Sequence, residues 1–248
     1  MIGEFFGGLV SVVTEIFRPV VIAVESVVGV AAKCGSYVAG KVAEFIREVD
    51  PNCEGICSLE AASEFLNDVG DYLLGIGRDL DINELKDCSN EDLGAKVLLP
   101  ETRKRDVDES AASYIEYLNT VDLNKEEFEK WDTEKKVANT TIGNALISES
   151  IKEKTGVELP VEFVANMEKA EVKHEEVAAL IEEFNKEGKE SMSEMNDFLV
   201  NSPNMTAEKT EQMESLATKA LKELNPEMSD DDVTARINAI KVAVQSKE

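Results

Sequence analysis

The chain has 248 residues, enough for one large domain or two small ones and for a sizeable buried core. It carries 51 acidic against 26 basic residues, a formal charge of −25 with its one histidine neutral. That balance excludes nucleic-acid binding, which rests on neutralising phosphate with Lys and Arg, and docking on anionic lipid through a polybasic patch. The charge is unevenly spread: residues 1–50 hold six acids and four bases, so nearly all of the net charge lies in residues 51–248. An almost neutral apolar head precedes a strongly acidic body.

The head, residues 2–48, is predicted to form one long helix or a helical hairpin. Turned at about 100° per residue, seven of its nine charges (Glu4, Glu15, Arg18, Glu25, Lys33, Glu44 and Arg47) fall in an arc of roughly 100°, with Lys41 and Glu48 outside it. Gly7, Ser11, Gly29, Ser36 and Gly40 share that arc. The rest of the circumference is apolar almost without interruption, and Phe5, Phe6, Leu9, Val13, Ile16, Phe17, Val20, Val24, Val27, Val38 and Phe45 are its candidate membrane-contacting residues. A surface helix needs an apolar stripe only somewhat wider than about 100°. This face is far wider, so it requires enclosure by lipid or by protein.

Charged groups at bilayer depth should turn inward and pair. Glu15, Arg18, Glu25 and Lys33 therefore form a polar seam facing a partner helix or a hydrated lumen, with Glu15 and Arg18 paired at i,i+3 and Glu25 lacking such a neighbour. The longest uncharged run, residues 5–14, is shorter than the roughly 18 residues of a simple span. Glu4 in place of an N-terminal base, and a helical pattern with no cleavage site, exclude a standard signal peptide. Pro19 kinks or breaks the helix. At about 1.5 Å per residue the segment reaches roughly 70 Å, which allows two tilted passes through a core of about 30 Å or a course along the interface.

Residues 51–105 form a connector of short helices. All four cysteines, Cys34, Cys53, Cys57 and Cys88, lie in the first 88 residues. Too few for a disulfide scaffold, they are read as free thiols by default, with a bridge across the short Cys53–Cys57 loop as the alternative; C-x3-C with no histidine nearby argues against a zinc site. Ser58 is a candidate N-cap for a helix ending near Gly75. Asp79, Asp81 and Asn83 begin like a calcium loop, but Glu84 and Asn90 occupy its glycine and glutamate positions. No metal or cofactor is predicted. Arg103, Lys104 and Arg105, the only three consecutive bases, mark either a solvated boundary or a candidate cleavage site.

Residues 106–248 form an acidic domain of amphipathic helices. One is expected within Asp106–Thr120, one from Asn124 to Lys154 stopped by Gly156, and one from Pro160 through His174, weakened at Gly188 before Met192, Met195 and Leu199. Thr206 and Ser229 open the last two, with Asp230, Asp231 and Asp232 favouring the final N-terminus. His174 is expected on an apolar face as a packing histidine, and Met192, Met195, Met205 and Met213 as core filler or an adaptable groove. Asn139 and Asn204 stand in glycosylation sequons. No phosphate loop, nucleophile elbow or Cys-His pair is present, so no enzyme is predicted.

The expected fold is all-α, a multi-helix bundle with a long hydrophobic N-terminal helix or hairpin. Its plan is similar in outline to helical pore-forming toxins, which shelter a hydrophobic hairpin until they meet a membrane; no sequence motif carries the likeness. That resemblance implies a membrane-active protein, a delivered bacterial toxin or effector, membrane-associated or secreted without a standard signal. Its partner is then a lipid bilayer, and a homo-oligomer is compatible with the seam. The alternative is a scaffold, adaptor or virion component whose head is buried in its own core or against a protein partner.

Overall fold

The computed structural model describes residues 30, 33–34, 36–48, 54–74, 89–124 and 133–246. Among them are ten helices: α1 Ser36–Glu48, α2 Glu54–Leu74, α3 Asn90–Leu98, α4 Ala111–Asn119, α5 Thr133–Thr155, α6 Val161–Lys169, α7 His174–Lys186, α8 Ser193–Leu199, α9 Ala207–Leu224 and α10 Asp230–Gln245. The only strand-like pairing among the described residues is an isolated parallel bridge between Glu158 and Ser191. The chain is all-α, as its periodicity predicts. Most of the expected N-terminal helix or hairpin lies outside the described residues.

Helices fall into two compact units, one drawn from Met1–Leu59 and Asp81–Glu149, the other from Glu60–Leu80 and Ser150–Glu248. In the first, Val38, Val42, Leu93, Val97, Tyr114, Ile115, Leu118, Ile142 and Leu146 are buried. Ser89 caps α3 reciprocally: its hydroxyl accepts from Asp92 N at 3.1 Å, and its own N–H donates to the Asp92 carboxylate at 3.2 Å.

The crossing of α3 and α5 is unusually close. A methyl placed on Gly94 would overlap the Asn139 carbonyl, and one on Gly143 would overlap the carbonyl of Asn90. Each helix thus presents an Asn and, four residues on, a Gly, and each glycine receives the other helix's asparagine backbone. Asn90 Nδ2 then donates to Asn144 Oδ1 at 2.6 Å across the contact. Small residues that admit a neighbouring backbone, joined by polar side chains, are how helices associate when apolar burial alone does not select a partner. Asn139, Thr141, Asn144 and Ser148 are all buried. Thr140 and Thr141 satisfy their hydroxyls on Lys136 O and Val137 O, one turn back.

The second unit is a conventional apolar bundle in which α7 and α9 pair most extensively. Phe163, Met167, Val177, Ile181, Phe184, Met192, Met195 and Met213 are fully buried. Three of the four singled-out methionines are therefore core filler. A cavity of about 20 Å³ bordered by Met167, Leu180, Met195 and Ile237 is far below the several hundred Å³ of a ligand site.

The expected single helix from Pro160, weakened at Gly188 and continuing to Leu199, is in fact three, α6, α7 and α8. Glu171 turns left-handed, with φ 48°, and Val172 N donates back to Met167 O at 3.0 Å, closing α6 with a Schellman turn. Gly188, with Lys189 N bonded to Phe184 O at 2.9 Å, ends α7 in the same way. His174 accordingly opens α7 half-exposed, its Nε2 3.2 Å from Glu175 and its ring packed against that of Tyr72 with centroids 5.8 Å apart. Helix α2 likewise begins at Glu54, four residues ahead of Ser58.

Arg236 Nε and Nη2 donate to the two carboxylate oxygens of Glu176 at 3.0 and 2.6 Å, with side-chain exposures of 27% and 10%. Removing one partner of a buried pair costs about 3–5 kcal/mol, and partial exposure reduces this to roughly 2 kcal/mol for Arg236→Ala. The urea midpoint should fall with the slope unchanged.

Candidate functional site

The tribasic run is fastened to the head at Lys33. Lys33, helical like Cys34, is met by both ends of the segment 99–105. The Lys33 ammonium donates to Leu99 O at 2.5 Å, and Arg105 N donates to Lys33 O at 2.9 Å. Thr102 steadies the approach by donating to Lys96 O at 2.5 Å, which ties the segment to the last turn of α3.

Each arginine of the run is also engaged. Arg103 donates through Nη1 and Nη2 to the Glu109 carboxylate at 2.7 and 2.5 Å, and its guanidinium lies 4.2 Å from the Tyr117 ring centroid. This fork holds the Glu109 carboxyl below the usual carboxylate range. Arg105 donates to Glu109 O and to Glu149 Oε2, both at 2.8 Å, with side-chain exposures of 11% for Arg105 and 13% for Glu149. Lys104 between them is exposed, and no ion pair holds it among the described residues. Val107 at the turn that follows is fully exposed.

Beneath the run lies the Cys34 thiol, buried and free. The Tyr114 hydroxyl donates to Arg103 O at 2.9 Å and lies within hydrogen-bonding reach of the thiol. Burial first, and the nearby Glu149 charge second, push the Cys34 thiol up from 9.0 to about 12. Burial also lowers the Lys33 ammonium from its ordinary value, with Cys34 and then Glu101 opposing.

No known protein family, curated protein or solved structure matches the chain.

Of the residues singled out from the sequence, Phe5, Phe6, Leu9, Val13, Ile16, Phe17, Val20, Val24 and Val27 lie outside the described residues, as do Glu15, Arg18 and Glu25. Phe45 belongs to α1, and its side chain lies outside the described ones. Val38, chosen as membrane-contacting, is fully buried, as are Val30 and Val42. Lys33 of the polar seam caps a carbonyl. Lys41, one of the two charges outside the polar arc, is buried and pairs with Glu44 at 2.8 Å. No helix among the described residues is long and apolar enough to cross a membrane, and no cluster of His, Cys, Asp and Glu there could hold a metal. Asn139 is fully buried in the α3/α5 crossing, which closes that sequon to modification in the folded chain, whereas Asn204 is exposed.

Sequence reasoning missed Glu109, Tyr114, Tyr117 and Glu149, which turn the basic run from a slack boundary into a fastening. A signal existed: two tyrosines at i,i+3 follow within fourteen residues of Arg103, in a chain only 6% aromatic. Stacked 5.7 Å apart, they form the surface on which the guanidinium rests.

Alkaline lability follows from this geometry. With Cys34 at about 12 in the fold and 9.0 as its ordinary value, the unfolded chain loses its proton first. Stability from this group is complete below pH 9 and is lost as pH rises toward 12, by on the order of 4 kcal/mol at the upper end. Tyr114, also raised by burial, adds in the same direction. Urea midpoints measured from pH 8 to 11 should fall, and a Cys34→Ser chain should fall less steeply.

Proposed function

We propose that this is a non-enzymatic, membrane-active helical protein, a delivered toxin or effector whose residues 2–48 enter or lie in a bilayer while the acidic body carries them. The wide apolar arc of the head carries the reading. Seven of nine charges confined to roughly 100° leave a face that water does not tolerate uncovered. The body's charge keeps the chain soluble and separate from its copies before delivery. Because that charge is negative, apolar burial has to drive lipid contact, and anionic headgroups oppose it.

The fastening around Lys33 supports the same reading by supplying a means of storage. Its polar contacts are individually modest and can be exchanged for water, unlike a continuous apolar core. The test is flotation of the full-length protein with neutral phosphatidylcholine vesicles. Binding that weakens when anionic lipid is added, and recovers with salt, is the expected pattern.

A second reading has its own observation. Burial of Val30, Val38, Ala39 and Val42 fits an interaction protein whose head is core. In that case no vesicle composition captures the chain.

A further inference from the structure

We propose that the tribasic run is a protease-operated latch on the head, cut by a trypsin-like endoprotease between Lys104 and Arg105. This rests on the membrane-active reading for its purpose, though not for its chemistry. Such a protease accepts a Lys or Arg side chain in a pocket floored by a carboxylate, so the bond it cuts follows a basic side chain free to leave the surface. Arg103 is forked on Glu109 and stacked on Tyr117, and Arg105 is shared between Glu149 and the Glu109 carbonyl. Arg103 and Lys104 are both exposed, but among the described residues only Lys104 of the three has no ion pair or hydrogen bond on its side chain, and it stands beside a turn whose Val107 is fully exposed.

The position of that bond makes the cut consequential. Its carbonyl, on Lys104, accepts from Arg103 Nη1 at 3.0 Å, and its N–H, on Arg105, donates to Lys33 O. Leu99, which receives the Lys33 ammonium, lies before the bond, and Arg105 lies after it. Hydrolysis adds water across the amide: the oxygen joins the Lys104 carbonyl carbon, the C–N bond breaks, and the nitrogen leaves as a protonated Arg105 amino terminus. Lys104 keeps a new carboxylate. The two halves of the grip on Lys33 are then no longer joined, and Cys34 loses its cover.

The test uses the full chain with Cys53, Cys57 and Cys88 changed to serine, so that Cys34 is the only thiol. Under limiting trypsin, mass spectrometry should place the first cut within the basic run after Lys104. Lys104→Gln should slow cutting in the run by roughly a hundredfold or more, because a buried charge pair in the protease pocket is lost. First cutting after Arg103 or Arg105, or an unslowed Lys104→Gln chain, overturns the site. Maleimide labelling of Cys34 should be slow before the cut and fast after it; unchanged protection overturns the latch. A cut chain that exposes Cys34 yet fails to float with neutral vesicles leaves the latch standing and removes the membrane reading instead.

Discussion

Gly143→Ala is expected to cost the fold about 2 kcal/mol, the middle of the range for forcing an extra methyl into a close-packed contact, and to lower the thermal midpoint by roughly 4–8 °C. The added carbon would overlap the carbonyl of Asn90, which is backbone and cannot swing away, so α3 and α5 must separate. Gly94→Ala meets the Asn139 carbonyl and should cost a similar amount. Alanine favours helix over glycine by up to about 1 kcal/mol, which offsets part of each loss. Because a single separation of the helices makes room for both methyls, the double substitution should cost less than the sum. Gly40→Ala in α1 has open space at its Cβ and should be neutral or stabilising, up to about 1 kcal/mol. Thermal melts of the four chains decide the matter. Additive losses would mean that the glycines do not share one contact.

Placing a carboxylate in the apolar arc of the head should abolish membrane binding while leaving the body folded. Val13→Asp or Val24→Asp puts a charge opposite the polar arc, where insertion costs about 2.5–3.5 kcal/mol, or roughly a hundredfold in partition. The two together should remove detectable binding. The substitution Glu25→Lys, inside the polar arc, should leave binding intact while altering any ion selectivity of the leak. Co-flotation with neutral vesicles, with helicity recorded on the same samples, separates these outcomes. Equal loss in the Glu25→Lys chain would mean that net charge, and not the apolar face, governs binding.

The all-α class was legible because apolar residues recur at threes and fours from Val161 to Val244, and the caps at Thr206 and Ser229 accept from Lys209 N and Asp232 N as their positions suggest. Hydropathy failed where packing depends on smallness. Residues 138–148 of α5 are buried throughout, yet Asn139, Thr141, Asn144 and Ser148 read as a solvated face. Asn and Gly four residues apart in both α3 and α5 were the available sign, and it becomes visible only once the two helices are known to meet. The break in α6–α7 escaped notice because Glu171 makes a left-handed turn usually given to glycine. At the basic run the charges were conspicuous but their partners were not: Glu149 lies forty-four residues from Arg105, beyond any local pattern.

The most direct test of the account is flotation of the full-length protein with neutral vesicles carrying a trapped dye, run on intact chain, chain cut after Lys104, and the Val13→Asp/Val24→Asp double variant. The intact chain should bind and release dye, cutting should raise both, and the double variant should show neither. Absence of flotation in both the intact and the cut chain would contradict the membrane reading and assign residues 2–48 to a protein core.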